Sequence, residues 1–186
     1  MLGRLFRRRT RGPRAEDRVW LTHAARLRGM AREVTALVEA GHSVLVVALA
    51  ASVADELLEA LADEQPARCL SAFERETLRR RLGRAGTLSV ALPAALPAEA
   101  AETPEVPVDV LVCGRNTSRR ADDEILRFAA HAAARVRVAF HLSLEDPLLR
   151  EAAGSIKPLL ERLGASADEP ISHPFVSRAV ERAQAK

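Results

Sequence analysis

Ser43-Val44-Leu45-Val46-Val47-Ala48-Leu49 is a continuous apolar run enriched in valine. A run of that kind suits a strand covered on both faces, as the strands of a parallel sheet are. Before it, Leu27, Met30, Val34, Leu37 and Val38 recur at helical spacing, with Thr22 as the N-cap and Gly41 as the stop. After it, Ser52 is expected to cap a second helix built on Val53, Leu57, Leu58 and Leu61. A short segment at Arg68–Leu70 precedes Ser71-Ala72-Phe73-Glu74, whose Ser-x-x-Glu spacing is a capping box. The helix it opens runs to Leu82 and stops at Gly83.

Thr87–Leu92 and Val108–Cys113 read as two further buried strands. Pro93–Pro107, rich in proline, alanine and glutamate, has no periodicity and is expected to be a flexible loop. A helix follows over Arg119–Ala134, with Ile125, Leu126, Ala129, Ala130 and Ala133 turned inward. Arg135–Leu142 alternates strictly: Val136, Val138, Phe140 and Leu142 on one side, Arg135, Arg137, Ala139 and His141 on the other. That pattern predicts a strand with one wetter face, near a sheet edge. From Glu145 onward the sequence reads as short helices separated by Gly154, Pro158, Gly164 and Pro170. Strands alternating with helices imply right-handed crossovers, and the expected fold is a three-layer α/β domain with a mainly parallel sheet of about five strands.

The chain has 186 residues, 48% hydrophobic and 28% charged, enough for one domain with a substantial core. Its charge is uneven. Arg4, Arg7, Arg8, Arg9, Arg11 and Arg14 stand in residues 1–14 with no acid, so the overall +3 becomes −3 over the remainder. An anionic partner is therefore expected to meet the head and not a basic face of the body. Cys69 and Cys113 lie far apart, with no C-x-x-C pair and no paired histidine spacing, and are expected to be small buried hydrophobes. No run approaches the roughly 18 apolar residues of a membrane span, and no apolar core of a signal peptide follows the basic head.

Two stretches carry a family resemblance. Asp17-Arg18-Val19-Trp20-Leu21-Thr22, a helix, Gly41 and Val44-Leu45-Val46 resemble the opening of the second nucleotide-binding domain of the SecA preprotein translocase family. Phe140-His141-Leu142-Ser143-Leu144-Glu145-Asp146-Pro147-Leu148-Leu149-Arg150 is similar to that family's F-Y-L-S-M-E-D-A-L-M-R. Leu163-Gly164, Pro170-Ile171-Ser172-His173-Pro174-Phe175-Val176 and the tail Ala179–Lys186 continue the match in order. The resemblance implies a RecA-like fold, divided as a basic segment at 1–15, a RecA-like domain at 16–150 and a helical extension at 151–186.

It also shows what this sequence lacks. There is no G-x-x-x-x-G-K-[ST] phosphate loop and no magnesium box. Where the family has a glycine-rich G-R-G-T-D segment, this chain reads Ala91-Leu92-Pro93-Ala94-Ala95-Leu96-Pro97. Ser118, Arg119, Arg120 and Asp122 resemble the start of the family's S-R-R-I-D, but the arginine-finger glycines that should follow are replaced by a helix-forming run containing Arg127. Asp122-Asp123-Glu124 is expected to complement a helix N-terminus. There is no G-x-S-x-G elbow and no H-E-x-x-H, the five histidines are scattered, and His173 is expected to pack and not to ligate.

These readings describe a degenerate, stand-alone relative that is not an enzyme, holds no metal and no cofactor, and does not bind ATP productively. Its expected role is a SecA-like accessory module, cytoplasmic and linked to protein export, with a protein partner such as a translocase or ATPase subunit. The head leaves three readings open: peripheral contact with the anionic inner membrane through its six arginines, contact with RNA, or a basic leader that touches nothing. Two alternatives stand beside this role. One is a nucleic-acid-binding helicase-like module, against which the acidic body and 3% aromatic content argue. The other is a lobe completing the ATP site of a separate chain, against which the lost fingers argue.

Overall fold

The computed structural model describes residues 15–97, 105–150, 153–154, 166, 168–171 and 174–185. Six strands, β1 (Ala15–Trp20), β2 (Ser43–Ala48), β3 (Ala67–Cys69), β4 (Thr87–Ala91), β5 (Val108–Cys113) and β6 (Val136–Ser143), form one sheet in the order β1-β6-β5-β2-β4-β3. All its pairings are parallel. The helices are α1 (His23–Glu39), α2 (Ala51–Ala60), α3 (Arg75–Leu82), α4 (Arg119–Ala132) and α5 (Pro174–Gln184). As right-handed crossovers demand, the chain moves one way across the sheet over α1 and α2 and returns over α3 and α4, so the two pairs cover opposite faces. The expected α/β class and the central place of Ser43–Leu49 both hold.

Every residue of β2 is buried. Val44, Val46 and Ala48 meet Met30, Val34, Leu57 and Leu61 on one face. Leu45 and Val47 share the other core with Leu78, Leu82, Ile125, Ala129 and Phe140. Burying each such side chain contributes about 1.5–3 kcal/mol, which is why a short valine-rich run sets the middle of the sheet.

Local signals are mostly obeyed. Thr22 caps α1, its Oγ1 accepting from Ala25 N at 3.1 Å, and Gly41 ends the helix at φ +80°. The capping box closes at Ser71 and Glu74, with a 3-10 turn over Ala72–Glu74 before α3. Ser52 is not the cap of α2; the helix begins at Ala51, and Ala50 occupies the cap without a side-chain bond. Ala130 is exposed, and Ala132 takes the inward place. The loop after β4 is not irregular throughout, since Pro93–Ala95 folds into a 3-10 turn and residues 98–104 lie outside the described residues.

The sixth strand was not anticipated. Asp17 and Arg18 disguise β1, which pairs with β6 from Ala15↔Val138 to Trp20↔Ser143 and becomes the sheet edge beyond it. β6 is thus next to an edge, and its polar face is wet only at its start: Arg137 is exposed, whereas His141 and Ser143 are fully buried. The cover is α1 together with Trp20, whose Nε1 donates to His141 Nδ1 at 3.2 Å while the two rings stack at 6.2 Å.

Most polar groups on that face satisfy one another, although buried His141 Nε2 has no hydrogen bond and lies 3.4 Å from Glu33. Glu33 of α1 pairs with Arg18 and with Arg137 (2.8 Å), and Arg137 Nε donates to Asp109 at 2.6 Å. Asp109 also meets His42 Nδ1 at 2.6 Å. Buried charges require this kind of mutual pairing.

Candidate functional site

At the C-terminal end of β5 the chain turns at Gly114 (φ +102°), and Arg115 folds back over the sheet. Its Nε and Nη2 donate to Asp17 Oδ1 at 2.9 and 2.6 Å, and its Nη1 donates to Asp122 Oδ2 at 3.2 Å. The guanidinium lies 3.6 Å from the centre of the Phe140 ring. Asp122 Oδ1 accepts from Asn116 N at 3.1 Å and from Asn116 Nδ2 at 2.9 Å. Gln184 Nε2 donates to Asp122 Oδ2 at 2.6 Å and to the Asn116 carbonyl at 2.8 Å. Five side chains thereby clasp β1, the β5–α4 turn, α4 and α5 beside a cleft of about 260 Å³.

This clasp consumes its own charges. The Asp122 side chain is 1% exposed, Asp17 10% and Arg115 13%. One guanidinium faces two carboxylates, whose oxygens accept from the surrounding donors. Such an arrangement holds elements together and commits Arg115 to carboxylates, while exposed Arg119 also lines the cleft.

Of the four residues singled out as remnants of the family motif, only Asp122 joins this cluster. Ser118 precedes α4 in extended backbone without a side-chain cap bond. Arg119 and Arg120 are exposed, and Arg120 Nε lies 3.9 Å from Glu124. Arg127 is likewise on the solvent side, 3.8 Å from Glu124. Asp122 occupies the first turn of α4 as expected, yet it is a buried hub and not an exposed helix-end acid, whereas Asp123 and Glu124 are exposed. Sequence reasoning missed Asp17, Arg115, Asn116 and Gln184 as a group. Asp17 and Gln184 did stand in the matching segments, but nothing in one dimension connected them.

A second cluster lies nearby on the same edge. Arg26, 4% exposed, donates from Nη1 to both Asp146 oxygens at 2.8 Å and from Nη2 to His23 Nδ1 at 2.6 Å. His23 Nε2 then faces Glu56 at 2.6 Å. His23 N donates to Glu145 and Ser143 N to Asp146, so Ser143–Asp146 is bound to the start of α1. Cys113 is close to Arg26, and burial pushes its thiol up to about 11. Both cysteines are free and buried, as the sequence suggested.

Arg4, Arg7, Arg8, Arg9, Arg11, Arg14 and His173 lie outside the described residues. Charge on the body is locally uneven in sequence. Residues 68–84 hold six arginines against Glu74 and Glu76, a local surplus that the net acidic average concealed. Among the described residues no helix is long and apolar enough to cross a membrane, and no group of side chains is placed to hold a metal ion.

No family model matches the chain. It is 29% identical over 180 residues to protein translocase subunit SecA of Desulfotalea psychrophila, covering 91% of this chain and 21% of that protein. It is 44% identical over 78 residues to SecA of Sorangium cellulosum, covering 41% and 8%. The resemblance to SecA is thus shown, and the chain spans about a fifth or less of the length of these relatives. Among solved structures it is similar to the C-terminal part of the Fun30 ATPase domain, at a TM-score of 0.49 and 11% identity over 86% of this chain and 52% of that one. It is also similar to T4 UvsW, at 0.45 and 13% over 66% and 26%.

Proposed function

We propose that this chain is a non-catalytic, SecA-like module that binds a protein partner in an export-related setting. The observation that supports this reading is the clasp. Arg115, the arginine nearest the sheet's C-terminal edge after β5, is held between Asp17 and Asp122, and the segment after it is the continuous helix α4. An arginine that stabilises a transferring phosphoryl group must be free and presented from a loop. The family's glycine-rich segment is replaced here by Ala91–Pro97, which contains no charged side chain to meet a phosphate. A fold that keeps its core while losing its reactive loops retains its surfaces as the remaining functional element.

Two measurements on the purified chain test this. Mg-ATP should be hydrolysed no faster than the blank, and it should not raise the melting temperature. A nucleotide at a hundredfold excess over its Kd would stabilise the fold by about 2.7 kcal/mol, a readily visible shift. Hydrolysis above blank would overturn the non-catalytic reading, and a thermal shift alone would restore nucleotide binding. For the head, the proposed contact is with anionic lipid, where each arginine contributes on the order of 1 kcal/mol. Co-sedimentation with anionic vesicles that vanishes at high salt supports it, and equal pelleting of a chain starting at Ala15 removes it.

A further inference from the structure

Trp20 is the only tryptophan of the chain, and it lies 3% exposed against a fully buried histidine, His141. Its Nε1 donates to His141 Nδ1 at 3.2 Å, and the ring centroids are 6.2 Å apart. An indole N–H can only donate, so Nδ1 is the unprotonated nitrogen and Nε2 carries the hydrogen. Nε2 makes no hydrogen bond and lies 3.4 Å from Glu33 of α1. The contact therefore requires a neutral imidazole in one tautomer. His141 stands where the SecA family's F-Y-L-S has tyrosine, so the imidazole is this chain's own.

The groups around the ring decide what an added proton meets. Arg18 of β1 lies in register with His141, and Arg137 precedes it on the same face of β6. Both guanidiniums pair with Glu33, the carboxylate that also faces Nε2. Cys113 of β5 is in register too, and burial keeps its thiol protonated by raising it to about 11. Burial is the largest influence on the imidazole and holds it below its ordinary 6.5; Glu33 raises it less, and Arg18 and Arg137 add to the depression. A proton that does arrive enters at Nδ1, the nitrogen facing the indole N–H. Two donors then stand 3.2 Å apart with no acceptor between them, in a place closed to water. The indole cannot back away alone. Its ring fills the space left by the missing side chain of Gly29, so withdrawal carries the first turns of α1 with it.

We propose that Trp20 and His141 form an acid-released latch, in which a proton on His141 Nδ1 expels the indole and frees the start of α1 from β6. The released state binds that proton with an imidazole's ordinary affinity, so acid draws the population toward it. His23 and Arg26 leave with the helix start, and these two hold Glu145 and Asp146. Release therefore opens the Ser143–Asp146 edge and leaves the pairing of β2, β4 and β5 intact. The latch is independent of the non-catalytic reading, because hydrolysis of ATP would refute that reading and leave the indole's response to pH unchanged.

Fluorescence of the full chain reads the latch directly, since Trp20 has no other tryptophan to mask it. Between about pH 7 and pH 4 the emission should shift to the red with a midpoint below 6.5, while far-UV circular dichroism stays native. Hydrogen exchange should show the Ala25 and Arg26 amides losing protection over that range while the amides of β2 keep theirs. His141→Gln can still accept from the indole through its side-chain carbonyl but takes up no proton, so it should abolish the red shift. Imidazole nitrogen NMR of the unsubstituted chain at neutral pH should find His141 as the Nε2–H tautomer, a check that needs no variant to fold. An absent red shift, one that survives His141→Gln, an Nδ1–H tautomer, or emission and circular dichroism that change together in one transition would each overturn the proposal.

Discussion

Trp20 and Gly29 are in direct opposition across the first helix crossing: a Cβ built on Gly29 would lie 1.9 Å from Cη2 of the indole. Trp20 is 3% exposed and its Nε1 is committed to His141, so the ring has no room to withdraw. Gly29→Ala should therefore destabilise the fold by about 1–3 kcal/mol, although alanine is the better helix former by roughly 1 kcal/mol. Urea unfolding measures it. A stabilised or unchanged variant would mean that α1 lifts away from the sheet at little cost.

Asp122 should be the most sensitive carboxylate on α4. Asp122→Ala leaves Asn116 and Gln184 without their common acceptor and Arg115 with Asp17 alone, in surroundings almost closed to water. Breaking a buried pair in this way costs about 3–5 kcal/mol. Asp123→Ala, one residue along but exposed, should stay within about 0.5 kcal/mol. Comparing the two by chemical denaturation separates the clasp from any general contribution of acids near a helix start.

The fold was legible because its signals are local. Apolar runs gave β2, β4 and β5, and helical spacing gave α1 and α4. β1 escaped because its covering is long-range: Arg18 is neutralised by Glu33, fifteen residues away on α1, and Asp17 by Arg115, ninety-eight residues away. The same distance hid the clasp, whose members come from β1, the β5–α4 turn, α4 and α5. The arginine surplus of residues 68–84 is hidden differently, through averaging of charge over the whole body. Alternation in β6 was read correctly as two faces, but which face meets water depends on where Trp20 and α1 lie.

Arg26 offers a further check on the edge that binds Ser143–Asp146. Arg26→Met keeps the apolar stem and removes the ion pair to Asp146 and the bond to His23. Asp146 is 18% exposed, so the loss should be moderate, about 2–3 kcal/mol. Hydrogen exchange should report it as faster exchange at His23 and Ser143, whose amides rely on Glu145 and Asp146. Unchanged protection there would show that Arg26 contributes packing alone.

Acid should unfold this protein through the Glu33–His141 contact. Burial by itself would raise Glu33, but contact with His141 and the charges of His141, Arg18 and Arg137 outweigh it and bring its carboxyl from 4.5 down to about 2. Burial holds the His141 imidazole below its ordinary 6.5, more strongly than Glu33 raises it, with Arg18 and Arg137 adding to the depression. Both folded-state values lie below the unfolded ones, so both groups bind protons more readily once unfolded. Their stability contributions are present at neutral pH and decline with acid, His141 below 6.5 and Glu33 from 4.5 towards about 2. Glu33→Gln should be less stable than the parent at neutral pH, because Arg18 and Arg137 lose a charged partner. It should also have a flatter profile through the Glu33 range, so the two unfolding curves converge as pH falls. Urea midpoints taken between about pH 7 and pH 3 decide the matter, and parallel curves would show that Glu33 titrates as it does in the unfolded chain.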